Sequence, residues 1–199
     1  MGKKFETHIT DFGISREKAF ELFDRNVKDD VLRKHCLASA AVMKALAKEL
    51  GKDEEVWELA GLLHDLDFDR VKEPEKHGLE TAHILEEAGV NPQVIDAILA
   101  HNAEGLAPHG VRRVTDIDHA LTAAETITGL VVATALIQPD RKLASVKPSS
   151  VVKRMKKKDF ARKVSRDNIR LIGKVGLEIE KFAMIALKAM QEISYDLGL

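Results

Sequence analysis

The sequence is poor in the residues that mark disulfide-rich, fibrous and membrane-spanning proteins. Its 199 residues include one cysteine, five prolines and twelve glycines. The lone Cys36 excludes an internal disulfide framework and a multi-cysteine zinc site, and it suits a reducing compartment. No run approaches the ~18 uninterrupted apolar residues of a transmembrane helix, and no apolar run follows Lys3 and Lys4. We therefore expect a cytoplasmic protein with no signal peptide and no membrane partner.

Several common functional motifs are also missing. Aromatic residues make up only 5% of the chain, and no glycine-rich phosphate loop, Gly-x-Ser-x-Gly elbow or dinucleotide fingerprint occurs. The chain is nevertheless 45% hydrophobic and 32% charged, which excludes a disordered tail and allows a sizeable core. The sequence therefore predicts a folded protein whose chemistry rests on other residues.

The formal net charge of −1 conceals an uneven distribution. Residues 140–174 hold thirteen basic and three acidic residues, a charge of +10, so the rest of the chain carries −11. Such a basic window can attract an anionic partner or simply form a solvated helical face. The run from Lys153 to Lys158 has no interleaved aromatic residues for base stacking. We therefore favour the solvated face and do not expect a nucleic-acid partner.

Apolar residues recur at helical spacing nearly everywhere, and no strand-like alternation of useful length occurs. The pattern predicts an all-α protein of seven to ten helices. Gly51 ends the first predicted helix, Asp53 begins the next, and Asn91 with Pro92 begins another. The predicted helices cover about residues 31–50, 53–65, 74–89, 92–102 and 115–137, then short basic pieces at 148–156, 159–164 and 165–174, and a final helix at 177–195.

Four of the eight histidines fall on successive predicted helices: His35, His64, His77 and His101. A single histidine on an apolar helix face is more often a hydrogen-bonded core residue than a ligand. Together, however, four imidazoles directed inward from facing helices can surround a metal, and imidazole with carboxylate suits first-row transition metals. Asp65 directly follows His64, and neighbouring residues diverge by about 100° on a helix, so both can face one metal only near a helix end. We expect the other four histidines, His8, His83, His109 and His119, to lie outside the site.

Two segments resemble a known family. His64 and Asp65 lie within Leu62-Leu63-His64-Asp65-Leu66, and His35 precedes them in Leu32-Arg33-Lys34-His35-Cys36. These segments resemble the HD superfamily of metal-dependent phosphohydrolases. The segments His77-Gly78-Leu79-Glu80 and Leu99-Ala100-His101-Asn102 are similar to the extra histidine segments of its binuclear, six-ligand branches.

The resemblance implies an HD-domain helical bundle with additional C-terminal helices. We expect a single helical domain over residues 1–199, with the metal-binding core at about 29–137 and the C-terminal extension at about 139–199. The implied cofactor is one or two divalent cations (Mn, Fe, Co, Ni, Mg or Zn). The implied metal ligands are His35, His64, Asp65, His77, His101 and Glu125.

Glu125 departs from the family pattern, in which an aspartate closes the first metal site. It stands in Leu121-Thr122-Ala123-Ala124-Glu125-Thr126. Glutamate keeps the carboxylate but adds one methylene, which moves the oxygens by roughly 1.5 Å. Two outcomes follow from this substitution: the longer side chain bends and still binds metal, or binding is weakened or lost.

The implied function is hydrolysis of a phosphate ester, nucleotide or related phosphorylated small molecule by metal-activated water. Asp65 is then the bridging catalytic carboxylate, while Asp67 and Asp69 support the ligands, cap the loop or face the substrate. We assign Asp69 a catalytic role, and we expect Arg33, Arg70 and Lys72 to bind the substrate. Two alternatives remain open: an HD-fold regulatory or binding module without turnover, which includes a possible homodimer, and a di-iron oxygenase.

Overall fold

The computed structural model describes residues 9–199, so His8 and the lysines near the N-terminus lie outside the described residues. Within this range the chain forms ten α-helices and no strand, which confirms the all-α prediction. The helices are α1 (Arg16–Asn26), α2 (Asp30–Leu50), α3 (Glu54–Leu63), α4 (Leu79–Ala88), α5 (Pro92–His101), α6 (Asp116–Leu136), α7 (Pro148–Met155), α8 (Arg166–Arg170), α9 (Ile179–Glu192) and α10 (Ser194–Leu197).

Local capping residues begin and end the helices that carry the predicted histidine ligands. Asp29 accepts the N–H of Leu32 at 2.8 Å and begins α2, and Gly51 ends that helix in the left-handed region at φ 65°. Asp53 begins α3 and Asn91 begins α5 in the same way. The helix ends at Gly51, Asp53 and Asn91 were predicted correctly, because each depends on short-range hydrogen bonds, whereas the cap at Asp29 was not predicted.

The helices α2 and α3 pack very closely through Gly61. A Cβ atom at Gly61 would lie 2.8 Å from the carbonyl oxygen of Ser39 and 2.9 Å from the Cα of Ala40. No other residue type fits at this distance without moving a backbone. The contact therefore sets the separation of the two helices that carry His35 and His64.

Helix α6 is the central element of the core. It packs against α2, α5, α7, α8 and α9, and its buried side chains include Leu121, Ile127 and Leu130. It is also long and apolar enough to cross a membrane by length and composition, but 67% of the relevant window is buried inside the protein. This burial on most sides is what a central core helix requires.

The structure differs from the predicted helices in three places. The helix predicted from Pro74 begins only at Leu79, because Gly78 adopts φ 98° and residues 74–78 form hydrogen-bonded turns. The final predicted helix is divided into α9 and α10 at Ile193. Helix α1 was not predicted, although Ser15 caps it by accepting the N–H of Lys18.

The C-terminal helices share the hydrophobic core of the preceding ones. Ile172, Phe182 and Met190 are fully buried in the same connected cluster as Leu121 and Met43. Residues 159–164, predicted as a separate piece, form turns ahead of α8. The proposed limits of core and extension stay a prediction, but the extension clearly packs on α6 and α2.

Candidate metal centre

Five segments bring the six predicted ligands together. His35 lies inside α2 and Glu125 inside α6, His64 caps the C-terminus of α3, and His101 is the last residue of α5. Asp65 follows in the turn after α3, so the predicted helix end beside His64 is present. His77 is not on a helix as expected, because it lies in the turn ahead of α4.

The ligands form two groups. His35, His64 and Glu125 make the first half-site, and Asp65, His77 and His101 make the second half-site. In the first, the Nε2 atoms of His35 and His64 are 3.2 Å apart, and His35 Nε2 is 3.9 Å from Glu125 Oε2. In the second, the Nε2 atoms of His77 and His101 are 3.0 Å apart.

Asp65 connects the two half-sites with one oxygen each. Its Oδ2 lies 3.6 Å from His35 Nε2 and 3.4 Å from His64 Nε2. Its Oδ1 lies 3.2 Å from His77 Nε2 and 3.4 Å from His101 Nε2. The carboxylate is therefore placed to contact ions in both half-sites at once.

Hydrogen bonds at the outer ring nitrogens assign the tautomers of the four histidines. The Nδ1 of His64 donates to the carbonyl of Gly61 at 2.9 Å, and the Nδ1 of His101 donates to the carbonyl of Ile98. The Nδ1 of His77 donates to the Asp67 carboxylate at 2.8 Å. Carbonyls and carboxylates only accept, so Nδ1 carries the proton in each of these rings.

His35 follows the same arrangement through a hydroxyl. Its Nδ1 lies 3.2 Å from Thr128 Oγ1, and that hydroxyl already donates to the carbonyl of Glu125 at 2.6 Å. Thr128 therefore accepts from His35. In the neutral form of all four rings, Nε2 presents its lone pair to the cluster.

This donor set fits a divalent metal in each half-site. Four unprotonated Nε2 atoms and two carboxylates converge on one small volume. The Nε2 atoms within each half-site are only about 3 Å apart, and their lone pairs repel unless a proton or a cation lies between them. Two nitrogens at ordinary metal distances of about 2.1 Å and at roughly right angles are separated by about 3 Å. Nitrogen and oxygen donors suit Mn, Fe, Co, Ni or Zn, and no cysteine takes part.

Without a metal, burial and nearby charges shift the pKa values of the clustered residues in opposite directions within each half-site. Burial, reinforced by His64, lowers the pKa of His35 to about 4, and burial raises the pKa of Glu125 to about 7. Burial also lowers the pKa of His77, but hydrogen bonds to Asp65 and Asp67 outweigh it and raise that pKa to about 9. His77 therefore carries an extra proton at neutral pH, which it would have to release to serve as a metal ligand.

The second half-site has supports that the sequence analysis left unresolved or missed. Asp67 is fully buried and accepts hydrogen bonds from His77 Nδ1 and from the N–H of Gly78 at 2.7 Å. Of the three roles considered for Asp67, these contacts fit the support of a predicted ligand, His77. Arg113, which was not singled out, donates to the carbonyl of His101 at 2.8 Å and pairs with Glu104. Its signal in the sequence is weak, since it lies in a loop twelve positions beyond His101.

A cavity of about 920 Å³ opens onto the cluster. Of the predicted substrate-side residues, Asp69 and Lys72 line it, with Asp69 accepting the N–H of Asp29 at 3.3 Å and Lys72 donating to the carbonyl of Phe68. Arg33 and Arg70 do not line it. The guanidinium of Arg33 donates to Asp24 and the carbonyl of Val27, and that of Arg70 to Glu80 and Asn26.

The other described histidines lie outside the cluster. His83 is exposed and 3.4 Å from Glu87, and His109 lies 3.1 Å from the carbonyl of Glu75. His119 is on α6, six residues before Glu125, and its Nδ1 has no hydrogen-bond partner among residues 9–199. The run from Lys153 to Lys158 does not line the cavity, whereas Ser165 and Asn168 of the C-terminal extension do.

Comparison with protein-family models gives one match, the HD domain, over residues 32–135. This range is just over half of the chain and includes all six residues of the cluster. The comparisons with curated proteins and with solved structures gave no significant match.

Proposed function

The chain belongs to the HD-domain family, and from this premise we propose that it is a metal-dependent phosphohydrolase acting on a phosphorylated small molecule. The observation that carries the proposal is the position of Asp65, whose two oxygens each face a pair of histidine Nε2 atoms. A carboxylate shared in this way holds two cations at a short distance, the arrangement that clamps the attacking and leaving oxygens of a phosphoryl group.

In this proposal the six clustered residues hold the metal. His35, His64 and Glu125 would hold the first ion, His77 and His101 would hold the second, and Asp65 would contribute one oxygen to each. Two such ions supply a polarised phosphoryl oxygen and a water of lowered pKa. The tautomers held by Gly61, Ile98, Asp67 and Thr128 keep every Nε2 available for this task.

Two further residues line the cavity on the substrate side. Asp69 is the candidate to orient or deprotonate the attacking water, since its carboxylate lines the cavity and stays outside the ligand groups. Lys72 is the only lysine or arginine among residues 9–199 that lines the cavity, and its ammonium group is the candidate partner for a phosphoryl oxygen. Arg33 and Arg70 have their guanidinium groups engaged elsewhere, so we assign them no direct contact with the substrate.

Reconstitution with defined metals tests the proposal. The metal-free protein is loaded in turn with Mn, Co, Ni, Fe, Mg and Zn, and release of inorganic phosphate is measured with a panel of phosphate esters. We expect hydrolysis with at least one metal and its loss in the double variant His64→Ala/Asp65→Ala. The matched control is His83→Ala, an exposed histidine on α4 outside the cluster, which keeps wild-type activity.

Three results would overturn the proposal, and each would have a different meaning for the function. Absence of bound metal after reconstitution would indicate a regulatory or binding module. Metal uptake without hydrolysis of any phosphate ester would exclude the phosphohydrolase. Iron uptake followed by a dioxygen-dependent product would indicate an oxygenase instead.

A further inference from the structure

The C-terminal extension contributes a wall to the cavity that opens onto the six clustered residues. Ser165 and Asn168 line this cavity together with His35, His77 and Glu125. Both residues lie beyond residues 32–135, the range that matches the HD domain. Metal binding does not need this wall, since all six ligands are provided by the preceding helices.

The wall is held firmly in position. Val164 packs against α6 at Gly129, one turn beyond Glu125, where an added Cβ would lie 3.2 Å from Val164 Cγ2. The guanidinium of Arg166 donates to the carbonyls of Ala161 and Val164 at 2.8 and 2.7 Å, and so fixes the turns before α8. Ile169, the residue after Asn168, is fully buried in the core. These contacts support the segment from which Ser165 and Asn168 line the cavity.

Asn168 is the residue of this wall with hydrogen-bonding capacity to spare. Its backbone N–H donates to Ser165 Oγ at 3.1 Å, but its side-chain amide makes no hydrogen bond to any residue within 9–199. The amide is partly buried at the cavity. It offers two donors and one acceptor to a molecule bound beside the metals.

The remaining charges of the cavity limit what that molecule carries. Three acids outside the two half-sites line it, Asp29, Asp69 and Glu104, and the only lining lysine or arginine among residues 9–199 is Lys72. Glu104 is paired with Arg113, so Asp29 and Asp69 are the two lining acids without a side-chain cation as partner in the described part of the chain. One phosphoryl group is matched by the metals, but a second or third would meet these carboxylates at close range. Like charges brought together in this way are strongly disfavoured.

We propose that Asn168 determines substrate specificity, and that the enzyme selects monophosphate esters whose organic part is uncharged and bears hydroxyl or carbonyl groups. The inference rests on the proposed function and names the substrate class of the same site. In the bound state the phosphoryl group lies at the metals and the organic part reaches α8, where the Asn168 amide hydrogen-bonds to it.

Paired substrates test this directly in the manganese-loaded protein. Phenyl phosphate has an organic part that cannot hydrogen-bond, whereas glucose 6-phosphate and adenosine monophosphate have hydroxyl groups. We expect wild type to prefer one of the latter two over phenyl phosphate in kcat/KM, and to prefer adenosine monophosphate over the triphosphate by at least about 10-fold. Asn168→Ala should lower kcat/KM for the preferred polar ester by about 5- to 20-fold, mainly through KM, and change that of phenyl phosphate by less than about twofold.

The control is Asp167→Asn, on the same helix but with a 94% exposed side chain outside the cavity. It should leave both substrates unchanged, and bound metal and thermal unfolding should be equal in all three proteins. An equal loss on both substrates in Asn168→Ala, or no loss on either, would overturn the inference. So would faster turnover of the triphosphate. A wild-type protein that hydrolyses none of the esters contradicts the proposed function itself, which separates the two failures.

Discussion

Two of the three residues of the first half-site lie inside long packed helices, whereas two of the three residues of the second lie in hydrogen-bonded turns. His35 and Glu125 lie inside α2 and α6, which are each 21 residues long and packed in the core. His77 and Asp65 lie in turns, where Asp67 accepts from both the ring of His77 and the N–H of Gly78. A helix places a ligand by packing, and a turn needs its own polar supports to do so. The two half-sites should therefore respond differently to the same kind of change.

The largest expected effect belongs to the residue that the half-sites share. Asp65→Ala removes the only side chain of the cluster that approaches both pairs of histidines, so both ions should be lost. We expect phosphate release to fall by at least about 1,000-fold. Metal content measured by mass spectrometry should fall well below that of His101→Ala, which damages the second half-site alone. Equal metal content in the two variants would show that Asp65 does not bridge.

Glu125→Asp tests whether the first half-site is built for glutamate. The Glu125 carboxylate is already 3.9 Å from His35 Nε2. Helix α6 is packed too tightly to move closer and compensate for a shorter side chain. Shortening the side chain by roughly 1.5 Å should therefore lower kcat by about 10- to 100-fold. Metal titration should locate the loss in the first half-site. A gain in activity would instead indicate a half-site that functions better with the usual aspartate.

The outer partners of His77 and His35 provide a matched comparison. Asp67→Asn replaces a charged acceptor with an amide, which should weaken metal binding in the second half-site by about 10- to 100-fold. Thr128→Val removes a neutral acceptor of similar shape from His35, and we expect a loss of only a few-fold in the first half-site. Metal titrations monitored by calorimetry measure both. Equal losses would show that the supports are equivalent.

The smallest effect concerns the stability of the metal-free protein as pH changes. His77 titrates near 6.5 when unfolded but has a folded pKa of about 9, so its stabilising contribution is complete below about pH 6.5 and is lost as the pH rises to 9. Glu125 has a folded pKa of about 7, above its usual 4.5, so its contribution is lost between those two values. His77 and Glu125 thus lose their contributions in different pH windows.

Urea unfolding in the presence of a chelator measures these windows. His77→Gln should flatten the profile above about pH 7, and Glu125→Gln should flatten it below, while His83→Gln, on the exposed face of α4, should change neither. A profile of His77→Gln that still falls from pH 7 to 9 would contradict the assignment.

The half-sites also differ in how far the sequence predicts them. Helix α2 with its end at Gly51, and the position of His64 at a helix end, follow from short-range signals and from the resemblance. The turn that carries His77 was predicted as helix, because the competing hydrogen bond from Gly78 to Asp67 joins residues eleven positions apart. The contacts of Arg113 with His101 and of Asn168 with the cavity depend on tertiary packing, which periodicity cannot supply.

Gly61 sets the distance between the two histidines of the first half-site. It contributes no side chain, yet its contact with Ser39 and Ala40 holds α2 and α3 at a fixed separation, and its carbonyl orients the ring of His64. The span between His35 and His64 therefore depends on a contact between two backbones. A single methyl group at this position would force the two backbones apart and lengthen that span, although every side chain of the first half-site remained in place.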